Sequence, residues 1–387
     1  MMKILYILHS TDTTAGSTKA IMPLLTHPAE GIRPVVVLPD TNGIYDSLTK
    51  LGIKTYVFPF RTSAYPTPLC SWKDWLLFIP RCIVRIYLNT KAYNQSLRII
   101  KEEQIDIVHT NTGVIRFGWH AASKMHIPHV WHLREYAEKI GYYHFPSNAA
   151  HLKELKQSYT ICITIDIKNH YHLADEKSSY VIYDGVLSQK QTLPFISKDK
   201  YFLYAGRIEA PKGVEDLLHA YAAYVNATHS PIPLWLVGTC EASYKQHIQN
   251  EMKRLNITQY VHLKGFRTDI QSLLQKAYSV IIPSLTEGFG FVMTETQFAG
   301  SLAIVREIQG LKEQLDLGAL FTGKPTAISF TSQTELTQHL LEIAEQGIEK
   351  FEPVIRNGQE FASTHFSIEN NIKQITELYL TIGNHRQ

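Results

Sequence analysis

The stretch PSLTEGFGFVMTETQFAG, residues 283–300, follows a short apolar run from Tyr278 to Ile282. That run is of strand type, and Pro283 and Ser284 end it. Gly288 and Gly290 then let the backbone turn tightly and approach a ligand closely. From Phe291 to Ala299 the side chains read as a short buried helix, and Gly300 is a natural stop for it. Two carboxylates stand in the stretch, Glu287 before the turn and Glu295 about one turn inside the helix. Free N–H groups at a helix start suit an anion, and a carboxylate accepts hydrogen bonds from paired hydroxyls. Together they describe a pocket for a phosphate attached to a polyol.

Upstream, YAGRIEAPKG (204–213) ends a second apolar strand. Arg207 and Lys212 flank a turn that contains Pro211 and closes on Gly213, so two positive charges can face one diphosphate. Around these blocks the strands Tyr201–Ala205, Ile232–Val237, Tyr260–Lys264, Tyr278–Ile282 and Ser301–Val305 alternate with helical patterns, which predicts a doubly wound parallel sheet. Residues 187–200 read as a linker into this second unit.

The first half alternates in the same way. Its strands are expected at residues 2–8, Pro34–Leu38, Lys54–Phe58, Ile105–His109, Ile127–Trp131, Tyr159–Thr164 and Tyr180–Tyr183. Ligands in such sheets sit beyond the carboxyl ends of the strands, where this chain places His109 to Thr112, His132 to Glu135, and Thr164. His126, His129 and His132 recur every third residue. A strand points residues three apart to opposite faces, so they make poor metal co-ligands. A final helix is expected from the N-cap Ser367 to Leu380.

Residues 72–91 form a distinct pattern. Trp72, Trp75, Leu76, Ile79, Ile83, Ile86 and Tyr87 fall on one side of a helical wheel, with Lys73, Arg81 and Arg85 on the other. Pro80 kinks or restarts the helix. Such a helix either lies in an anionic membrane interface or packs on the sheet with its basic face in water.

Composition narrows the class. The chain of 387 residues has room for two domains, and 44% hydrophobic with 19% charged residues describes a globular protein. A formal charge of +3 gives no argument for nucleic acid. Cys70, Cys82, Cys162 and Cys240 show no paired spacing, which points away from a disulfide framework or zinc site and fits a reducing, cytoplasmic setting. The segment MMKILYILHS reads as a first strand and not as a secretory signal, and no apolar run reaches the length of a membrane span.

With Glu287 and Glu295 eight apart, Gly-Phe-Gly directly after the first, and the Gly-Arg…Lys-Gly block upstream, the chain resembles retaining glycosyltransferases of the GT-B fold, family four. The resemblance implies two doubly wound Rossmann-like α/β domains facing across a cleft. Residues 1–186 would form the acceptor side, 187–366 the nucleotide-sugar side, and 367–387 a helix crossing back. It further implies that Arg207 and Lys212 act on the diphosphate. Glu287 would hold the donor sugar's hydroxyls and Glu295 the ribose, with Gly288, Phe289, Gly290 and Phe291 forming the donor turn. Gly265-Phe266-Arg267 would pass the nucleobase, where Arg267 either contacts the base or stays in solvent. His132 would face the reacting sugar, and Gly16 would line the loop after the first strand, which otherwise is a simple tight turn.

The implied reaction is sugar transfer from a nucleotide diphosphate sugar to a saccharide or lipid-linked acceptor in cell-surface polysaccharide synthesis. Configuration would be retained, with no cofactor and no metal, since the sequence has no Asp-x-Asp. The chain departs from the family pattern at three places. Gly16 stands alone where two glycines are usual, Asp184 replaces an asparagine, and Arg306 to Gly310 leads to Glu313 in place of a Gly-Gly-x-x-Glu loop. Alternatives are a nucleotide-sugar epimerase of the same fold, which would need further acid and base carboxylates, and a non-catalytic partner subunit.

Overall fold

The computed structural model describes residues 1–13, 15–138 and 141–384. The chain divides into two compact units, Met1–Gly185 together with the chain from Glu369 on, and Val186–Ile368.

The first unit is built on a seven-stranded parallel sheet: β1 (Met2–Ile7), β2 (Ile32–Leu38), β3 (Lys54–Val57), β4 (Ile107–Thr110), β5 (His129–Leu133), β6 (Tyr159–Cys162) and β7 (Ser179–Val181). Their spatial order is β3-β2-β1-β4-β5-β6-β7. Both faces of the central strands are covered, so β1, β4 and β5 are almost wholly buried, whereas the edge strand β3 (KTYV) is half-buried. Ile4 and Tyr6 face one layer, joined there by Ile375, Leu378, Tyr379 and Ile382 of the last helix, Ile368–Asn384. Leu5 and Ile7 face the other, against Ile99, Ile100, Phe117 and Ala121. The period of two in a strand produces this split.

The second unit repeats the plan with six parallel strands: β8 (Phe202–Ala205), β9 (Leu234–Val237), β10 (Val261–Gly265), β11 (Ser279–Ile282), β12 (Ala303–Arg306) and β13 (Ile328–Phe330). The order is β10-β9-β8-β11-β12-β13, so the direction of winding reverses between β8 and β11. The two sheets are those of the doubly wound α/β class read from the sequence. β13 was not anticipated: three residues after the turn at Gly323 to Thr326 give no periodicity to read.

Residues 72–91 break at Leu77. Ser71 caps the helix Trp72–Leu76 in a capping box with Asp74. A second helix, Phe78–Glu103, then starts with Pro80 in its first turn, where a missing N–H costs nothing. Here the apolar side is the one in water, with Trp72 71% and Trp75 66% exposed and Ile79, Ile83 and Tyr87 similar. The basic side is engaged: Arg81 pairs with Asp74 at 2.8 Å, and Arg85 donates to Thr62. Among the described residues no helix is long and apolar enough to cross a membrane.

Candidate functional site

The two sequence blocks, far apart in the chain, meet where the second sheet reverses its winding. Open α/β sheets bind ligands at such a switch point, outside the carboxyl ends of the strands. β8 delivers Arg207 and the short turn Ala210–Lys212, while β11 delivers Pro283 to Gly290. The backbone locks them together. Leu285 N donates to Pro211 O at 2.9 Å. Gly213 sits at φ +67°, and a Cβ there would stand 2.0 Å from Pro283 O, so only glycine fits. Arg306, at the end of β12, braces the same turn: Nε donates to Pro283 O at 3.0 Å, and Nη2 reaches Asp216 Oδ2 at 2.6 Å.

Within this frame Lys212 Nζ lies 2.6 Å from Glu287 Oε1, with the side chains 22% and 19% exposed. Ser284 Oγ donates to the same oxygen at 2.9 Å. Two helices start beside the pair, Val214–Ala227 after Gly213 and Phe291–Phe298 after Gly290. Both N-caps are left-handed glycines without a side chain to cap the first turn, so the N–H groups there are available to an anion. Gln309 accepts from Glu287 N at 3.4 Å, and a Cβ on Gly310 would meet Gly288 O at 2.2 Å. Thus the segment that departs from the family pattern, Arg306 to Gly310, still packs against the glycine turn.

The other expected residues are distributed as follows. Arg207 is 70% exposed and 3.2 Å from Glu209. It lines a cavity of about 630 Å³ with Thr239, Tyr244 and His247, beyond the ends of β8 and β9. Arg267, just past β10, is held by Asp269 at 2.6 Å, and Phe266 beside it is exposed. Glu295 and Phe291 are half-buried on the helix that follows the turn. Phe289 is buried edge-on against Phe366, and its carbonyl accepts from Gln314, so it shapes the turn and does not present its ring to solvent. The sequence placed Phe266 in the loop expected beside the nucleobase, Ser284 at a strand end and Arg306 to Gly310 in a loop that departs from the family pattern. It did not show that Ser284 and Gln309 bond Glu287 or that Arg306 braces Pro283.

Gly16 and His132 belong to the first unit. Gly16 opens the helix Gly16–Thr26, and Asn111 Nδ2 donates to the neighbouring Ser17 O at 3.1 Å. His132, expected to face the reacting sugar, is fully buried. Its Nδ1 is 3.2 Å from His109 Nε2, whose Nδ1 meets the Tyr379 hydroxyl at 2.5 Å. Its Nε2 lies 3.9 Å from Asp184, which is bonded to Arg134. Burial, then the Arg134 charge, holds His132 well below the usual imidazole pKa, so the ring is neutral. Burial pushes Asp184 up against the pull of Arg134. His129 instead contacts Thr110 at 2.8 Å, the neighbour of His109 on β4. His129 and His132 therefore occupy opposite faces of the sheet.

Comparison with known proteins matches this architecture. Residues 187–361 fit the family described as Glycosyl transferases group 1. The second unit of this chain is thus similar to the group 1 glycosyltransferases. The Uncharacterized glycosyltransferase MJ1607 of Methanocaldococcus jannaschii is 24% identical over 57% of this chain and 62% of its own length. The O-antigen chain mannosyltransferase RfbU of Salmonella typhimurium is 25% identical over 49% and 53%. The chain thus spans less than two thirds of either relative. Among solved structures, Anabaena HepE in complex with UDP superposes with a TM-score of 0.76 at 19% identity, covering 98% of this chain and 100% of that one. That likeness establishes the GT-B fold of two Rossmann-like units.

Proposed function

We propose that this glycosyltransferase moves a sugar from a nucleotide diphosphate sugar to an acceptor hydroxyl, with retained configuration and without a metal. The observation that carries the reading is the Lys212–Glu287 pair at the β8/β11 switch point, flanked by two helix starts. When the bond from the sugar's anomeric carbon to the phosphate oxygen breaks, its electron pair stays on the diphosphate. In this reading Lys212, Arg207 and the N–H groups of Gly290 to Val292 stabilise that charge. Glu287 accepts hydrogen bonds from the sugar's hydroxyls, and Glu295 from the ribose. The departing phosphate takes the acceptor's proton, so no separate base is required. HepE, of like fold, has been solved with UDP and with UDP-glucose, and RfbU is named an O-antigen chain mannosyltransferase. Both favour a nucleotide sugar donor and a saccharide or lipid-linked acceptor in cell-surface polysaccharide synthesis.

The exposed apolar face of residues 72–87 favours peripheral attachment to the cytoplasmic surface of a membrane, since two tryptophans in water are unfavourable and suit the interface.

The test is a panel of nucleotide sugars with the purified protein, following donor cleavage and the anomeric configuration of the product by NMR in the presence of EDTA. Cleavage of one donor with retention supports the reading. No cleavage of any donor, inversion, or strict dependence on added magnesium or manganese contradicts it.

A further inference from the structure

The first unit holds a second cavity that the donor chemistry does not use. It measures about 630 Å³ and lies between the helices Phe78–Glu103 and Phe117–Lys124, closed by residues 62–65 and by Phe145 and Pro146. That volume is within the range of ligand pockets, which run from roughly 300 to 1,000 Å³. Cys82, Ile86, Asn89 and Tyr93 recur every three or four residues, so one face of the long helix forms a wall. Tyr65, Phe117 and Phe145 add aromatic surface. Ile86 belongs both to this wall and to the exposed apolar strip that runs back through Ile83 and Ile79 to Trp75. An apolar path therefore leads from the surface into the cavity.

Three cations line it, and they differ in their partners. Arg116 is neutralised by Glu154, which its Nε meets at 2.6 Å. Arg85 donates only to the carbonyl and hydroxyl of Thr62, at 3.0 and 2.6 Å, and among the described residues no carboxylate lies within ion-pair distance of it. Its burial lowers its pKa from the usual arginine value, the mark of a charge short of compensation. Lys124 stands exposed on the facing helix, likewise without an acidic partner among the described residues. An apolar chamber with two uncompensated cations on opposite walls is complementary to a molecule with one apolar chain and an anionic head.

We propose that this cavity binds a single-chain alkyl or isoprenoid phosphate, with the chain between Ile86, Tyr93 and Phe117 and the phosphate held by Arg85 and Lys124. The inference deepens the reading of a lipid-linked acceptor and rests on it for its biological meaning, but binding can be measured without any sugar transfer. Calorimetric titration of the wild-type protein with decyl phosphate, below its micelle concentration, should show saturable binding. Decanol and inorganic phosphate should each bind at least ten-fold more weakly. Arg85→Gln and Lys124→Glu should each weaken decyl phosphate by ten-fold or more while donor hydrolysis stays at the wild-type rate. Lys124 is on the surface, so its variant keeps the test decisive if Arg85→Gln does not fold. Absence of saturable binding, or equal binding by wild type and a folded Lys124→Glu, overturns the site. Displacement of decyl phosphate by phosphatidylglycerol vesicles would also overturn it, assigning the cavity to bilayer lipid. Loss of donor hydrolysis across all proteins, with decyl phosphate binding intact, would strike the catalytic reading and leave the site standing.

Discussion

Lys212 and Glu287, 75 residues apart in the chain, form an ion pair of 2.6 Å across the point where the second sheet reverses its winding. The carboxylate thus pairs with the lysine that the proposed diphosphate would use. Glu287 therefore competes with an anion for the lysine's charge.

Removing that competition has a separable effect on product and substrate. Glu287→Gln should tighten a nucleoside diphosphate by roughly ten-fold, equivalent to about 1.4 kcal/mol. The same variant should lose turnover of the nucleotide sugar, because the sugar's hydroxyls lose a charged acceptor. Calorimetry with the matching nucleoside diphosphate and initial rates with the sugar donor measure both. Weaker binding of the nucleoside diphosphate by the variant contradicts the competition.

The lock between the two blocks is a second target. In Gly213→Ala the new Cβ would stand 2.0 Å from Pro283 O at a φ of +67°. Left-handed strain and overpacking each cost about 1–3 kcal/mol, and a domain of this size loses roughly 2–4 °C in Tm per kcal/mol. Differential scanning calorimetry should show the drop in the transition of the second unit. An unchanged Tm would mean that the Gly213–Pro283 contact does not constrain the site.

Acid should act on the first unit. Burial, with the neighbouring Arg134, lowers His109 to about 3, and burial, with His151, lowers His144 to about 2. Burial likewise depresses His129, His132 and His151. These folded-state values lie below the unfolded imidazole value of about 6.5. From there downward the unfolded chain binds more protons than the folded one, so stability is full above that pH and falls as the pH drops. Each such ring contributes up to about 1.4 kcal/mol per pH unit. Tm measured from pH 8 to pH 5 should be flat above 7 and fall steeply below 6.5, and a constant Tm down to pH 5 contradicts the neutral cluster.

The exposed strip at 72–87 should bind anionic liposomes. Trp72→Ser with Trp75→Ser should reduce co-sedimentation with phosphatidylglycerol vesicles several-fold without lowering Tm, since both rings lie in solvent. Equal, negligible binding by both proteins would refute the membrane surface.

The central strands were legible because they are buried on two faces, so β8 and β11 are short runs with every residue buried. The three-residue β13 is too short to show any period. The glycine turn was legible because Gly288, Gly290 and the following helix sit together in sequence. What sequence could not show is which charges meet. Nothing local says that Lys212 finds Glu287, that Arg267 turns to Asp269, or that Arg306 reaches Pro283. His132 lies near the carboxyl end of β5, but nothing local shows that it is fully buried against His109, which in turn meets the Tyr379 hydroxyl of the last helix. The wheel at 72–91 separated apolar from basic residues, yet only packing shows that Arg85 turns to Thr62 beside a cavity.

The placement of the leaving diphosphate is tested most directly by kcat. Charge on the diphosphate grows as the glycosidic bond breaks, so groups that stabilise it act on turnover and not only on affinity. With the donor found by the panel, Arg207→Ala and Lys212→Ala should each lose on the order of 10²–10³ in kcat. Glu295→Ala, whose ribose contact is the same in ground and transition states, should mainly raise the donor KM. Tm is measured for all three, since Glu295 is half-buried. Wild-type kcat in folded Arg207→Ala and Lys212→Ala proteins would contradict the placement of the diphosphate at the β8/β11 switch point.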